Sequence, residues 1–388
     1  MAASSKKSKT DVQKNDSDVT EKIERPDPYS SGGAWKKWNT QIRAEKRKWK
    51  EEKLIKKLKS KIRKKEAAEK QANDEKEVAV TKGPQFTVSI AVPGSILDNA
   101  QSTELRTYLA GQIARSAVVF NVDEIIVFDE TGTLTKTEDG DLTSAQKEGK
   151  ANLQLARILQ YLECPQYLRK ALFPRHKDLQ YAGLLNPLDC PHHMRAEDVC
   201  EYRDGVVLNK PVKDNKGSLV DVGWNQREVK VDRCVQPGIR VTVKIDDYKT
   251  AAEKKKVTGK IVAPTTPRTN AGLYWGYSVR IAKSLSEVFT ACPFSDNGYD
   301  CLIGTSERGQ SADELSLPQF QHLLIVFGGV KGLEASLEAD ELLDVDDPSL
   351  LFNHYINTCP DQGSRTIRTE EAILITMSTL QWKISEKR

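Results

Sequence analysis

Residues 86–129 read FTVSIAVPGSILDNAQSTELRTYLAGQIARSAVVFNVDEIIVFD. The stretch opens with an apolar run, Phe86–Gly94, that ends in a Pro-Gly turn, and closes with a second apolar run, Val122–Asp129. Between them Leu105, Leu109, Ile113 and Ala117 recur at helical spacing, so they share one face of a predicted helix. Strand, helix, strand is the unit of a parallel sheet, which makes the fold class α/β.

Downstream of this unit a polar loop is expected over about Glu130–Lys150, followed by the helical stretches ANLQLARILQYLECP and QYLRKALFP. From about Asp189 to Pro267 the hydrophobic period changes to two. GVVLN, GSLVDVGW, REVKVDRCV, IRVTVKID and KKVTGKIVA read as five short strands, which predicts a small antiparallel barrel of the OB kind inserted into the α/β domain. Such a barrel is open to two readings, an oligonucleotide-binding module or a spacer. The α/β texture then resumes with GLYWGYSVRIA, KSLSEVFTA, CLIGTSERG and HLLIVFGGVKGLE; SLLFNHYINTCP is a helix or a strand. The expected organisation is a tail and basic helix over 1–83, a first α/β part over 84–190, the insert over 191–267 and a second α/β part over 268–388.

Charge is unevenly distributed. Residues 1–83 hold 24 Lys and Arg against 14 Asp and Glu, a net of +10, whereas the rest holds 35 against 41, a net of −6. The first 33 residues are polar and expected to be disordered. From Ala34 to Ala72 there is no Gly or Pro, and Trp35, Trp38, Ile42 and Trp49 follow helical spacing, continued by Leu54, Ile55, Leu58 and Ile62. This predicts a basic helix. It either packs on the body or a partner, or follows a nucleic-acid backbone, with Lys46, Arg47, Lys48 and Trp49 as RNA contacts. The same basic run suits a nuclear import signal. The longest apolar run, Leu323–Phe327, is too short to span a bilayer, and MAASSKKSKT lacks the apolar core of a secretory signal. Seven scattered cysteines without a C-x-x-C pair fit a reducing compartment.

Three Gly-bearing segments fall at the carboxyl ends of predicted strands: Gly304–Gly309, Phe327–Gly329 and Asn357–Ile367. In an open α/β sheet ligands bind in the crevice there, and glycine lets backbone groups approach them. GTSERGQS is close to the P-loop G-x-x-x-x-G-K-[ST], but Gln310 stands where the phosphate-binding lysine is required, which argues against an NTPase. No G-x-G-x-x-G follows the first strand, so a dinucleotide fold is not expected either.

Taken together, VPGSILDNA, ELRTYLAGQIARSAVVFNVDEIIVFD, GTSERG, LLIVFGG and NTCPDQGSRTIRTEEAIL resemble the SPOUT-class methyltransferases. Within that class the chain is most similar to the eukaryotic and archaeal SPOUT domain-containing methyltransferases with an OB-like insert, and the resemblance covers nearly everything from residue 85 onward. It implies a trefoil knot near the C-terminus, whose loops hold S-adenosylmethionine (SAM), and a homodimer formed through the knot region. Nothing short of that resemblance would suggest a knot. The tract from Asn357 becomes the last knot loop, and Thr369 the expected N-cap of the closing helix, with Glu370 and Glu371 in its first turn.

The resemblance also implies roles. Thr305, Arg308, Gly328, Asn357, Thr358, Gln362, Thr366 and Ile367 are the expected SAM-binding residues, with Ile303, Ile367 and Leu374 walling the adenine slot. Arg308 and Arg365 are candidates to hold RNA phosphate, the acceptor base or the ligand's carboxylate, and Glu307 is either a base or a surface ion-pair member. These three are the candidate catalytic residues. GSRTIRTEEA is similar to the G-P-R-x-L-R-T-E of uridine-N3 ribosomal RNA methyltransferases, with Ser364 in place of their proline, which implies a base acceptor, uridine N3. The expected activity is therefore a SAM-dependent RNA methyltransferase, with no metal and no membrane association. Its expected location is nucleus and cytoplasm. The alternative is a silent RNA-binding scaffold, since animal relatives associate with the spindle and kinetochore. Cys190, His192, His193 and Cys200 lie close in sequence, but their spacing is not that of a zinc finger. Tyr274, Trp275 and Tyr277 read as core residues in preference to base-stacking ones.

Overall fold

In the computed structural model of the chain, residues 83–387 are described except 137–141, 144–146, 211–216, 225–226 and 252–255. The expected basic helix, and Lys46, Arg47, Lys48 and Trp49 on it, lie outside the described residues.

The opening unit is β1 (Thr87–Pro93), α1 (Thr103–Val119) and β2 (Glu124–Phe128). A two-stranded ribbon of β3 (Thr135–Lys136) and β4 (Leu142–Thr143) and the helices α2 (Lys147–Glu163) and α3 (Gln166–Leu172) follow. Next come β5 (Tyr202–Val207), β6 (Leu219–Trp224), β7 (Arg227–Val231), β8 (Arg240–Ile245), the short α4 (Tyr248–Ala251) and β9 (Val257–Val262). The last part holds α5 (Thr266–Ala271), β10 (Ser278–Ala282), α6 (Leu285–Thr290), β11 (Cys301–Ser311), β12 (His322–Val326), α7 (Gly332–Glu338), β13 (His354–Asn357) and α8 (Thr369–Ser385).

Six strands form one sheet in the order β10-β2-β1-β12-β11-β13, with every neighbouring pair parallel. The near-continuous apolar runs of β1, β2 and β12 follow from this, because both faces of a parallel sheet are covered. Val88, Ile90, Val92, Ile125, Val127, Leu323 and Ile325 face one layer with residues of α1, α2 and α8. Ala91, Ile126, Phe128, Leu324 and Val326 face the other with Leu285 and Val288 of α6 and Leu333 of α7. On α8 the buried Ile373, Met377, Leu380 and Ile384 form a stripe at helical spacing. The five central strands close into a barrel in the order β5-β6-β7-β9-β8, with β7 and β9 its one parallel pair. Val220, Val222, Val229, Val231, Val243 and Val257 fill its interior.

Several local expectations are corrected. The stretch after Pro93 is not helical at once. Gly94–Asn99 forms a 3-10 turn, and α1 begins only at Thr103, after Ser102 accepts a hydrogen bond from the Leu105 N–H at 3.2 Å. Leu105 is therefore off the buried face, at 52 % exposure. Within the expected polar loop after Glu130 the helix α2 already starts at Lys147. Gly304–Gly309 is not a loop beyond a strand but part of β11. Tyr274, Trp275 and Tyr277, by contrast, take the expected core positions, tied inward to the Val122 carbonyl at 2.6 Å, Asp204 Oδ1 at 3.0 Å and the Leu159 carbonyl at 3.0 Å.

The barrel meets α2 through ions. Arg240 bridges Glu163, at 2.6 and 2.9 Å, and Asp204. Burial alone raises the Glu163 carboxyl, but the hydrogen bond from His192 and the Arg240 guanidinium outweigh it and hold the group down to about 2. His192 and His193 both donate Nε2–H to the Glu163 carbonyl, at 2.9 and 2.7 Å.

Candidate active site

The candidate residues gather at the carboxyl edge of β11, β12 and β13. The ladder between β11 and β13 pairs Thr305 with Ile356 and then Gln310 with the same Ile356, so Ser306–Gly309 bulges out of the sheet. Glu307 and Arg308 ride on that bulge and are exposed. Gly309 lets the bulge close, because a Cβ there would sit 2.7 Å from the Ile356 Cα. Bulge and last strand are then stitched together by Asn357, whose side-chain amide donates to the Glu307 carbonyl at 2.8 Å while its oxygen accepts from the Cys359 N–H at 2.9 Å. Thr305 Oγ1 donates to the Val326 carbonyl at 3.1 Å, linking β11 to β12. The Thr358 and Thr376 hydroxyls meet at 3.0 Å, anchoring the following loop to α8.

Gln362, Arg365, Thr366 and Ile367 lie on the irregular segment between β13 and α8. The Ser364 hydroxyl donates to the Thr366 carbonyl at 2.9 Å and shapes that turn. Arg365 is exposed. Arg308 is 75 % exposed and makes a 3.4 Å contact with Glu334, a pair worth little in water.

Three expectations fail here. Thr369 is the first residue of α8 and not its cap; Arg368 holds the cap position, its backbone N–H bonding to Glu371 Oε2 at 3.1 Å. Thr369 instead donates to the Gly328 carbonyl at 3.1 Å. Ile303 is fully buried in the layer shared with α1 and α8, and Leu374 is 48 % exposed, so these two do not make the walls of one slot.

Ser95, Asp129, Glu130 and Lys331 were not singled out by sequence reasoning. Asp129, buried at the end of β2, accepts from the Thr131, Thr133 and Leu134 N–H groups at 3.0, 2.6 and 2.8 Å and so fixes the turn that carries Glu130. The Ser95 hydroxyl donates to Glu130 Oε1. The signal was present as an acid pair closing VDEIIVFDE beside the PGS turn, but its meaning depends on which strands are neighbours.

A cavity of about 160 Å³ lies elsewhere, between Phe86, Phe120, Arg268, Tyr274 and Met377, and none of the candidate residues lines it. Cys190, His192 and His193 place their ligand atoms within 4.8 Å of one another, yet both histidine Nε2 atoms already serve the Glu163 carbonyl. Cys200 lies apart from that trio, with its thiol against the Met194 sulfur at 2.7 Å. No helix of the described residues is long and apolar enough to cross a membrane.

A family model described as "Putative RNA methyltransferase" matches residues 87–380. The human 28S rRNA (uridine-N(3))-methyltransferase is 56% identical over 320 residues, spanning 81% of this chain and 84% of the human protein. The Drosophila melanogaster protein of the same description is 50% identical over 366 residues, spanning 92% of this chain and 74% of its own. The mouse protein is 55% identical over 299 residues, spanning 77% of each. The match runs from β1 into α8 and so takes in every strand of the described residues and the whole candidate site: the chain belongs to this RNA methyltransferase family.

Proposed function

We propose that this protein transfers a methyl group from SAM to N3 of a uridine in large-subunit ribosomal RNA. The observation that carries this reading is the convergence of the β11 bulge, the Phe327–Gly329 turn and the segment after Asn357 on one sheet edge, in a chain at least half identical to the human, fly and mouse enzymes. The donor set fits the ligand. SAM carries a cationic sulfur, an adenine and two ribose hydroxyls, and the edge offers the Thr305, Thr358 and Thr366 hydroxyls, the Asn357 and Gln362 amides, backbone carbonyls and the Glu307 and Glu334 carboxylates. A phosphate cradle is not needed.

In this reading the segment after β13 is the threaded part of a trefoil knot. The hydrogen bonds from Asn357 to the bulge and from Thr369 to Gly328 support the crossing. The barrel is an OB-like insert that shares RNA binding with the basic N-terminal arm, two copies associate through the knot region, and the enzyme works in nucleus and cytoplasm. A catalytically silent spindle or kinetochore scaffold is the less favoured reading, because the relatives of half identity are named as enzymes.

The test is transfer itself. Purified protein, tritiated SAM and an unmodified transcript of the large-subunit ribosomal RNA should yield N3-methyluridine. SAM should raise the melting temperature, as a ligand of the native state does, and ATP should not. Binding of SAM without any transfer would point to the scaffold.

A further inference from the structure

The sheet order places a topological switch between β1 and β12: the chain moves from β1 outward to β2 on one side and from β12 outward, past β11, to β13 on the other. A crevice opens at the carboxyl ends of the strands at such a point, and ligands bind there. Three chain segments meet at this point. Ser95 comes from the turn after β1, Glu130 from the turn after β2, and Gly329 from the turn after β12. The Ser95 hydroxyl donates to Glu130 Oε1. Oε2 of the same carboxylate faces Gly329 so closely that a Cβ there would collide with it. That Oε2 is buried and has no hydrogen-bond partner among the described residues. A buried carboxylate oxygen without a donor is costly and needs an explanation. The neighbouring Gly328 carbonyl is held by Thr369 of α8, so these turns adjoin the edge proposed to hold SAM.

Resting on the reading of the protein as a uridine-N3 methyltransferase, we infer that Glu130 is the general base of the reaction, accepting the N3 proton of the uridine on Oε2. Uridine N3 is protonated at neutral pH and is not a nucleophile until its proton leaves. The N3–H bond breaks and its proton passes to Glu130. The electron pair left on N3 forms the new bond to the methyl carbon, while the carbon–sulfur bond breaks and its pair returns to sulfur. The products are N3-methyluridine, the neutral demethylated donor and a protonated Glu130 that re-equilibrates with water. The surroundings suit the task. Burial raises the carboxyl, the Ser95 hydrogen bond lowers it, neighbouring Asp129 raises it and Lys331 lowers it, and the net shift is upward, toward the working pH. Glu307, read from sequence as either a base or a surface ion-pair member, is exposed on the bulge and has no such setting.

The test compares the full-length protein with Glu130→Gln and Ser95→Ala, using unmodified large-subunit ribosomal RNA transcript. Single-turnover transfer should fall by about 10²-fold or more in Glu130→Gln at pH 7. It should recover as pH rises, because hydroxide replaces the missing base, while calorimetry shows unchanged SAM affinity. Infrared titration of the ligand-free protein should show a carboxyl band titrating above the ordinary glutamate range, absent from Glu130→Gln. Ser95→Ala, which removes a hydroxyl from the charged form, should move the midpoint of the pH–rate profile upward. If wild-type protein transfers methyl and Glu130→Gln matches it in rate and pH profile, the base assignment is overturned and the activity stands. If Glu130→Gln loses SAM binding, the residue is structural and the inference falls. If the wild type transfers nothing to the RNA, the functional reading fails and takes the inference with it.

Discussion

Thr369 Oγ1 donates to the Gly328 carbonyl at 3.1 Å, so the first residue of the last helix is fastened to the end of a strand 41 positions earlier. The bond joins the segment that leaves the site to the turn that floors it. Thr369→Val keeps the shape and removes the donor. It should lower stability by about 1 kcal/mol and weaken SAM binding, measured by thermal melts and calorimetry.

The two adjacent glycines should separate. At Gly328 an added Cβ would stand 2.9 Å from the backbone of Gly332 and Leu333, at the start of α7, and backbone yields poorly. Gly328→Ala should therefore cost stability as well as ligand. At Gly329 the obstacle is the end of the Glu130 side chain, which can turn away more easily than backbone by giving up the Ser95 bond. Gly329→Ala should melt close to wild type and lose methyl transfer. A folded Gly329→Ala with full activity would show that the position of Glu130 does not matter.

Arg308→Ala tests the bulge. The side chain is exposed and its contact with Glu334 is long, so melting temperature should not change measurably. If Arg308 holds RNA or the acceptor, SAM affinity survives and transfer falls. If it holds the ligand carboxylate, calorimetry should show a loss of about 1.5–3 kcal/mol.

Deleting residues 1–83 removes a net charge of +10. RNA affinity should drop and its dependence on salt should flatten, because fewer counterions are released on binding. SAM binding should be unaffected. An unchanged salt slope would assign RNA binding to the barrel.

Acid should loosen the seam between α2 and the barrel. Burial and the neighbouring His192 push His193 down to about 4 from its ordinary 6.5. The unfolded chain binds this proton first, so the contribution of neutral His193 is complete above pH 6.5 and is lost as pH falls toward 4. It is worth up to about 3 kcal/mol. Asp123 works in the opposite direction. Burial lifts it to about 6 against the pull of Arg268, so the native state takes up its proton first and gains stability between about pH 6 and 3.8. His193→Gln should unmask that trend: between pH 6.5 and 4, denaturant titration should find it losing less stability than the wild type. Equal slopes would remove His193 from the account.

The parallel sheet and the barrel were legible because each has its own period. β1, β2 and β12 are near-continuous apolar runs, and the barrel strands alternate, as in the pattern of Leu219–Trp224. Local geometry was not legible where a tertiary bond displaced a local one. Thr369 looked like a cap, but its hydroxyl is used by Gly328. GTSERG looked like a loop, but pairing with β13 on both sides of the bulge keeps it in the sheet. Leu374 and Ile303 are both apolar, and only the sheet says that one is exposed and the other sealed. The candidate site was half legible. Glycine and polar residues after three strands marked the edge, whereas Glu130 acquires its setting from Ser95 and Gly329, which no sequence window contains together with it.

Strand β10 lies beside β2, although Glu124 and Arg280, joined by a 2.9 Å bond across that pair, are 156 positions apart. On the ribosome the open flank of β2 must wait while everything between is made, on the order of 10 s at common rates of synthesis. Through that wait β2 presents an unpaired strand edge, the kind of surface that recruits wrong partners. The barrel, with an apolar interior of its own, is the piece able to close in the interval and shorten the loop that β10 must span. Changes that slow barrel closure, such as enlarging a valine in its interior, should then appear as aggregation during synthesis before they appear as a lower melting temperature.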